Sequence, residues 1–481
     1  MILLVNPPCP PGHVSNKDTM AGLGELYGPN TPVRLPPLDL FYAAAILRER
    51  QVPVRVFDGL VEPGHLPSLL RLLDESPPSL IALRVSLPSI DWDLTVAGIL
   101  RARHATPMLL FGPYAALAAE ALLASPAVDG VATSETEAVF RLLDPLRPQS
   151  SRGLWWRVGE EIRRNPPLDR IADLDSLPRP AWEMAPYRAY YLDEYLRRRR
   201  PALPVLASRG CPFGCSYCPY PVTQGNRWRA RSIENVMAEI DHLVSDLGVQ
   251  ALLFRDPEFT MSRGRALALC RALAGRHPGL IWRAETRPDT LDDELVAAMA
   301  AAGCIGVNLG IESASPEVLA AVHRRPLSER RLQQVLAACR RHDLDAYGFF
   351  LLGLPGETAD SARATIRLAL RCKPRFVQFN LLTPFPGTPL SNSSTLEGPP
   401  EVIGTTNAAR SSELGADELR RLQQLAHRTW EMRPGATTRR IRGHLAAAAG
   451  EARGWFRFRM ETGVVARTPP RPPHSVTEGL A

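Results

Sequence analysis

The sequence predicts an α/β protein in which an N-terminal doubly wound parallel sheet is followed by a partial (β/α)6 TIM-like barrel and a C-terminal helical region. Two observations predict the layers. Strand-length apolar runs alternate with helix-period segments five times before residue ~145, and again six times between ~204 and ~390. Such alternation builds parallel sheets with right-handed helical crossovers. A third observation concerns chemistry: in the second series the unusual residues fall at the carboxyl ends of the strands, where barrel sites form.

The first series pairs "MILLVN" with "DLFYAAAILRER", read as an amphipathic helix, and "VPVRVFD" with "LPSLLRLLDE". "SLIALRVS" precedes "DLTVAGILRARH", "TPMLLFG" precedes "YAALAAEALLAS", and "VDGVATS" precedes "ETEAVFRLLD". Ligands of such sheets sit beyond the strand carboxyl ends. Here those ends are Asn6–Pro8, Asp58–Gly59, Ser86–Ser89, Gly112–Tyr114 and Thr133–Glu135. Residues 146–200 are rich in Pro and Arg with little periodicity, and read as a surface linker. The second series has strands "PVLASR", "ALLFRD", "IWRAET", "IGVNLGI", "DAYGFFLLG" and "FVQFNLL". The expected organisation is therefore a first domain over 1–145, the linker, a core over 201–390, and a helical region with a disordered Pro-rich tail over 391–481.

Composition narrows the function classes. The net charge is +7, yet Lys17 and Lys373 are the only lysines and prolines number 46, so the Arg excess reads as compositional bias. The run Arg197 to Arg200 reads as a solvated face, and no nucleic-acid partner is expected. No run of about 18 apolar residues suggests a membrane span, and the N-terminus lacks the charged region of a signal peptide. Five of the eight cysteines are scattered singly, which fits a reducing, cytoplasmic setting rather than a disulfide framework. "GLGELYG" does not complete a dinucleotide-binding glycine pattern, and "GLPGE" lacks the Lys of a phosphate loop.

The other three cysteines are concentrated in "SRGCPFGCSYCPYP": Cys211, Cys215 and Cys218. Pro212 and Gly214 oppose a helix there, so the segment reads as a loop wrapped around a metal group. A structural zinc site is normally closed by four ligands, and no second CxxC pair is present. An iron-sulfur cluster takes one thiolate per iron, so three would leave one iron of four open. Zinc remains the alternative on the residues alone. The other strand ends carry Asp256 and Glu258 ("FRDPEF"), Glu285 and Arg287 ("RAETRPD"), and Glu312 and Ser313 ("GIES"). The loops "GLPGE" and "TPFPG" follow the last two strands.

CxxxCxxC with an aromatic before the last Cys resembles the radical S-adenosylmethionine (SAM) superfamily, and the likeness runs through "FRDPEF", "GIES" and "FFLLGLPGET" over residues ~200–390. The resemblance implies that Cys211, Cys215 and Cys218 hold a 4Fe-4S cluster whose open iron chelates SAM. It implies reductive cleavage of SAM to methionine and a 5′-deoxyadenosyl radical. It suggests Tyr217 beside the adenine, and Asp256, Glu285, Arg287 and Glu312 as polar SAM contacts. Opposite charge for the ammonium and carboxylate of SAM agrees with those residue types. The Gly-rich segment usual after the second strand is replaced by Phe254-Arg255-Asp256.

The preceding doubly wound domain resembles the cobalamin-binding module of one large subgroup. That resemblance points to Pro8, Ser86, Gly112, Pro113 and Glu135 as cobalamin contacts, although D-x-H-x-x-G is absent. The implied activity is methylation of an unactivated carbon or phosphorus centre of a small-molecule substrate through methylcobalamin, with flavodoxin or ferredoxin as electron donor. The alternatives are a radical cyclase, oxidase or rearrangement enzyme, and a non-catalytic metal- or nucleic-acid-binding protein. A methylthiotransferase would need a second, N-terminal cysteine set, where only Cys9 stands.

Overall fold

The protein is described from a computed structural model, which covers residues 1–433 apart from 63, 193–195, 197–198, 394–395, 398–407 and 410–412. Arg197, Arg198, the Arg-rich segment 439–456 and the Pro-rich tail lie outside the described residues.

The first sheet contains β1 (Ile2–Asn6), β2 (Val54–Asp58), β3 (Leu80–Arg84), β4 (Met108–Phe111) and β5 (Gly130–Ala132), all parallel. Its order is β2-β1-β3-β4-β5, so the chain reverses direction across the sheet between β1 and β3. Leu3 and Val5 of β1 pack with the helix residues Leu69, Val96 and Leu123. Ile2 and Leu4 face the opposite layer, which holds Phe41, Ile46 and Val139. Alternate residues of one strand thus meet different helical layers.

Residues 154–164 differ from the linker reading. They form β6 (Leu154–Val158) and β7 (Glu161–Arg164), an antiparallel hairpin added to the edge of the sheet beyond β5. The Gly159-Glu160 turn, with Gly159 at φ 62, reverses the chain, and Trp156 packs so closely on Gly130 that a Cβ there would stand 2.0 Å from its ring. Arg-rich composition masked this strand pattern. Residues 171–192 of the linker join the two halves: the Tyr190 hydroxyl donates to Asp58 at 2.5 Å, and that of Tyr187 to the Leu247 carbonyl at 3.1 Å.

The helix α1 (Leu38–Glu49) is also less one-sided than the amphipathic helix expected. Nine of its twelve residues are buried, because the sheet lies on one side and the linker on the other; Phe41 meets the Trp182 ring at 4.7 Å. The predicted helix over "YAALAAEALLAS" is two short ones, broken at Ala118.

The barrel strands are β8 (Ala202–Val205), β9 (Ala251–Phe254), β10 (Ile281–Thr286), β11 (Cys304–Glu312), β12 (Asp345–Leu352) and β13 (Phe376–Leu381). All neighbours are parallel and in sequence order, and among the described residues β8 and β13 stand at the edges. The barrel is therefore open on one side, as predicted. Helix starts follow capping chemistry: Ser232, Asp292, Ser315 and Ser328 each accept a backbone N–H two or three residues on, and Thr358 with Ser361 forms a capping box. Among the described residues of the C-terminal region are a short antiparallel pair, Leu396–Glu397 with Ala408–Ala409, and a helix, Ala416–Glu431. Among the described residues no helix is long and apolar enough to cross a membrane.

Candidate functional site

Backbone constraints fix the cysteine loop at the end of β8. Ser208 and Arg209 pair with Ala230 and Arg229, and the chain then turns at Gly210, φ 82. A Cβ on Gly210 would stand 2.2 Å from the Arg227 carbonyl, so only glycine allows this approach. The Cys211 N–H donates to Gly225 at 3.1 Å, and Ser216 N–H to Val322 at 3.1 Å. The second bond ties the loop to the turn after the short helix Pro316–Ala321 that follows β11.

All three thiols are unbridged. Burial raises Cys211, and the nearby Cys215 adds to the rise. Burial pushes Cys218 up to about 12, with Cys215 and Cys211 both contributing. Three thiols that feel one another in a buried loop suit a positively charged metal group. Among the described residues no three His, Cys, Asp or Glu side chains are placed to hold one metal ion. A structural zinc site is closed by four ligands, whereas three thiolates leave one iron of a four-iron cluster open. The three unbridged thiols fit a cluster better than zinc.

Around the loop the predicted polar residues fall into two groups. Glu285 at the end of β10 meets Arg255 at 2.9 Å and lies 3.5 Å from the Tyr220 hydroxyl. Glu312 sits at φ 67 beside a register shift at the end of β11, 3.5 Å from Arg324. A non-glycine residue held in the left-handed region marks a strained strand end. Arg287 stacks its guanidinium 4.1 Å from the Phe213 ring and forks onto Asp289 at 2.9 Å. Tyr217 packs beside Val318, Val322 and Leu354. Asp256 is turned inward: its oxygens accept from Ala207 N–H at 2.8 Å and the Ser208 hydroxyl at 2.5 Å, and burial lifts it to about 6. It braces the root of the cysteine loop. Glu258 accepts from Thr260 at 2.8 Å and Thr290 at 3.0 Å, with Thr286 also bound.

A cavity of about 320 Å³ lies between the carboxyl ends of β3–β5 and the cysteine-bearing side of the barrel. Its walls include Arg84, Pro113 and Glu135 from the first domain and Arg209, Tyr220 and Arg255 from the barrel. Glu135 is buried against Arg209 at 3.2 Å and Arg229 at 3.0 Å. Burial alone would raise its pKa, but the two guanidiniums prevail and hold it at about 2. Gly112 precedes the helix that begins at the cavity wall with Pro113. Pro8 and Ser86 are engaged elsewhere: the Pro8 carbonyl accepts from the Trp92 indole at 2.8 Å, and the Ser86 hydroxyl meets Ser89 at 2.7 Å.

Sequence reasoning did not single out Asp18, Arg84, Arg209, Tyr220, Arg255 or Arg324. Arg255 bridges Asp18 in the hairpin turn of 14–27 to Glu285, so it crosses from the first domain to the barrel. The signal was visible only as the departure from a Gly-rich segment at Phe254-Arg255-Asp256.

The sequence pattern of the Radical SAM superfamily matches residues 205–369. An uncharacterized methyltransferase of Pyrococcus horikoshii is 30% identical over 362 residues, 74% of this chain and 77% of the relative. The chain belongs to the radical SAM superfamily. As a radical SAM enzyme it works with a 4Fe-4S cluster and SAM. The solved structure of the radical SAM methyltransferase TsrM from Kitasatospora setae, with cobalamin and a 4Fe-4S cluster bound, superposes with a TM-score of 0.64 at 21% identity, over 81% of this chain and 73% of that one. This radical SAM protein therefore shares the fold of TsrM. The anaerobic magnesium-protoporphyrin IX monomethyl ester cyclase of Cereibacter sphaeroides is 29% identical over 50% of this chain, which spans only 39% of the cyclase.

Proposed function

We propose that the protein methylates a small-molecule substrate at an unactivated centre, using SAM and a corrinoid. The observation that carries the reading is the cavity shared by the two domains. A ligand above the ends of β3–β5 would lie against Tyr220, two residues beyond Cys218. When bound, the cluster supplies an electron for SAM cleavage and methylcobalamin supplies the methyl group.

The chain's own residues bind, orient and exclude water. Glu285 and Glu312 offer carboxylates to the ammonium and ribose hydroxyls of SAM, and Arg287 offers a guanidinium to its carboxylate. Tyr217 presents an aromatic face for the adenine. Pro113 and Glu135 would touch the corrinoid directly. Pro8, Ser86 and Gly112 would shape the strand ends beneath it, and Asp256 would hold the cysteine loop. The small residues Ala21, Gly22 and Ala116 leave space along the cavity wall. About 320 Å³ matches a small-molecule pocket; a corrinoid is larger, so its uptake would displace part of the lining. The methyltransferase relative and the shared fold of TsrM support the reading. The partial match to an anaerobic cyclase supports a second one, ring closure without methyl transfer.

The test is anaerobic reconstitution with iron, sulfide and hydroxocobalamin, followed by SAM with a deuterated methyl group and a reductant. Methyl transfer is expected to add one labelled methyl to the product and to consume two SAM per turnover. A substrate turned over without label in the product would favour cyclisation. A loaded enzyme that never cleaves SAM would overturn both readings. Flavodoxin or ferredoxin as the electron donor is part of the same proposal, and replacing dithionite with either tests it.

A further inference from the structure

We infer that Arg324 sets the reduction potential of the cluster, a reading that rests on Cys211, Cys215 and Cys218 as its ligands. Arg324 follows the helix Pro316–Ala321, in the turn whose Val322 carbonyl accepts the Ser216 N–H. Loop and turn are therefore tied to each other by a backbone hydrogen bond. The guanidinium Nη1 lies 4.0 Å from Cys215 Sγ, at the outer reach of a hydrogen bond to sulfur. Nη2 donates to the Gly310 carbonyl and lies 3.5 Å from Glu312. Carbonyl and carboxylate thus aim the remaining arm of the fork at the thiolate.

Three features set this cation apart. It is buried, with 10% of its side chain exposed, so water screens it little. Gly310 lets it lie close to the strand: a Cβ there would stand 3.0 Å from Nη2 and 2.7 Å from Glu312 Oε1, so both side-chain ends would have to shift. The other guanidinium by the loop, Arg287, spends Nε and Nη2 on Asp289. Arg324 is the one with a donor directed at a ligand sulfur in the described contacts.

A cation donating to a thiolate sulfur draws electron density from the cluster and favours its reduced, more negative state. The step concerned is transfer of one electron from an external low-potential reductant, with no bond made or broken and no proton moved. Arg324 is a positioning residue here, acting through Cys215.

The experiment is a redox titration of the reconstituted protein followed by electron paramagnetic resonance, without SAM, so that a role in SAM binding cannot contribute. Iron and sulfide per chain are measured on every sample. At the poise where half the native cluster is reduced, Arg324→Gln is expected to lower the reduced-to-oxidised ratio about tenfold, which for one electron is ~59 mV. Arg324→Lys keeps the charge but loses the fork, and is expected to lower the ratio about threefold. A fully loaded Gln variant within twofold of the native ratio would overturn the proposal. Should that variant not retain iron, the Lys variant decides by the same twofold limit. A native chain that takes up no iron would instead overturn the cluster assignment, and the proposal with it.

Discussion

Glu357 is a buried carboxyl placed where few charges are tolerated. One of its oxygens accepts the Gly353 N–H at 2.5 Å and fixes the loop after β12; the other has no partner among the described residues. Burial lifts it to about 7 against the backbone bonds that favour its ionised form. A raised folded value means that stability is fully present below the unfolded value of 4.5 and is lost as pH rises to about 7. The loss is on the order of 3 kcal/mol. Glu357→Gln keeps an acceptor for Gly353 and removes the charge. Its thermal midpoint should match the native protein near pH 4.5 and exceed it at pH 7.5; equal midpoints at both values would sink the account. This residue was legible only as part of "GLPGE". Its ionisation was not, because desolvation depends on what the fold packs around it. The cysteine trio was legible because its spacing is local. Arg324 was hidden in "HRRPLSERR", where neither periodicity nor spacing separates it from the exposed Arg325 beside it.

Elements with strong period and clear boundaries were readable, and elements defined by their neighbours were not. All eleven parallel strands appear where apolar runs stood, since burial on both faces leaves a continuous signal. The β6–β7 hairpin was missed because an edge strand with one solvated face carries Arg between its Trp and Ile residues. The domain contact was missed for a related reason: Arg255 ends an ordinary-looking strand, yet it joins Asp18 to Glu285 across the cavity wall. Arg255→Met would leave both carboxylates without this cation. Removing one partner of such a buried pair costs about 3 kcal/mol, measurable as a lowered urea midpoint. Burial already lifts Asp18 to about 6 against the pull of Arg255, and without that pull it rises further. The deficit of the variant should therefore be larger at pH 8 than at pH 5, and a deficit independent of pH would contradict this role.

At the scale of the whole molecule, two α/β units share one core. The apolar cluster that contains Leu4, Phe41 and Ile46 of the first domain runs without a break into Val205, Leu252, Phe350 and Phe379 of the barrel. Buried ion pairs cross the same boundary, with Arg209 of the barrel at 2.6 Å from Glu137. Helix α1 has no free face: Ala181 donates to its Phe41 carbonyl at 3.2 Å, and Trp182 and Tyr190 cover the Phe41 ring. A domain able to fold alone would present charge on that surface. Cutting the chain near residue 165 would instead expose an apolar helix on one fragment and unpaired Arg209 and Arg229 on the other. Calorimetry of the intact apoprotein should therefore give one cooperative endotherm for these two units, and fragment 1–165 should bind a hydrophobic dye and lack a cooperative transition. Two resolved endotherms, or a fragment that melts sharply, would show that the cavity lies between independent domains. The shared core predicts otherwise, and it keeps the cavity walls in register with the cysteine loop.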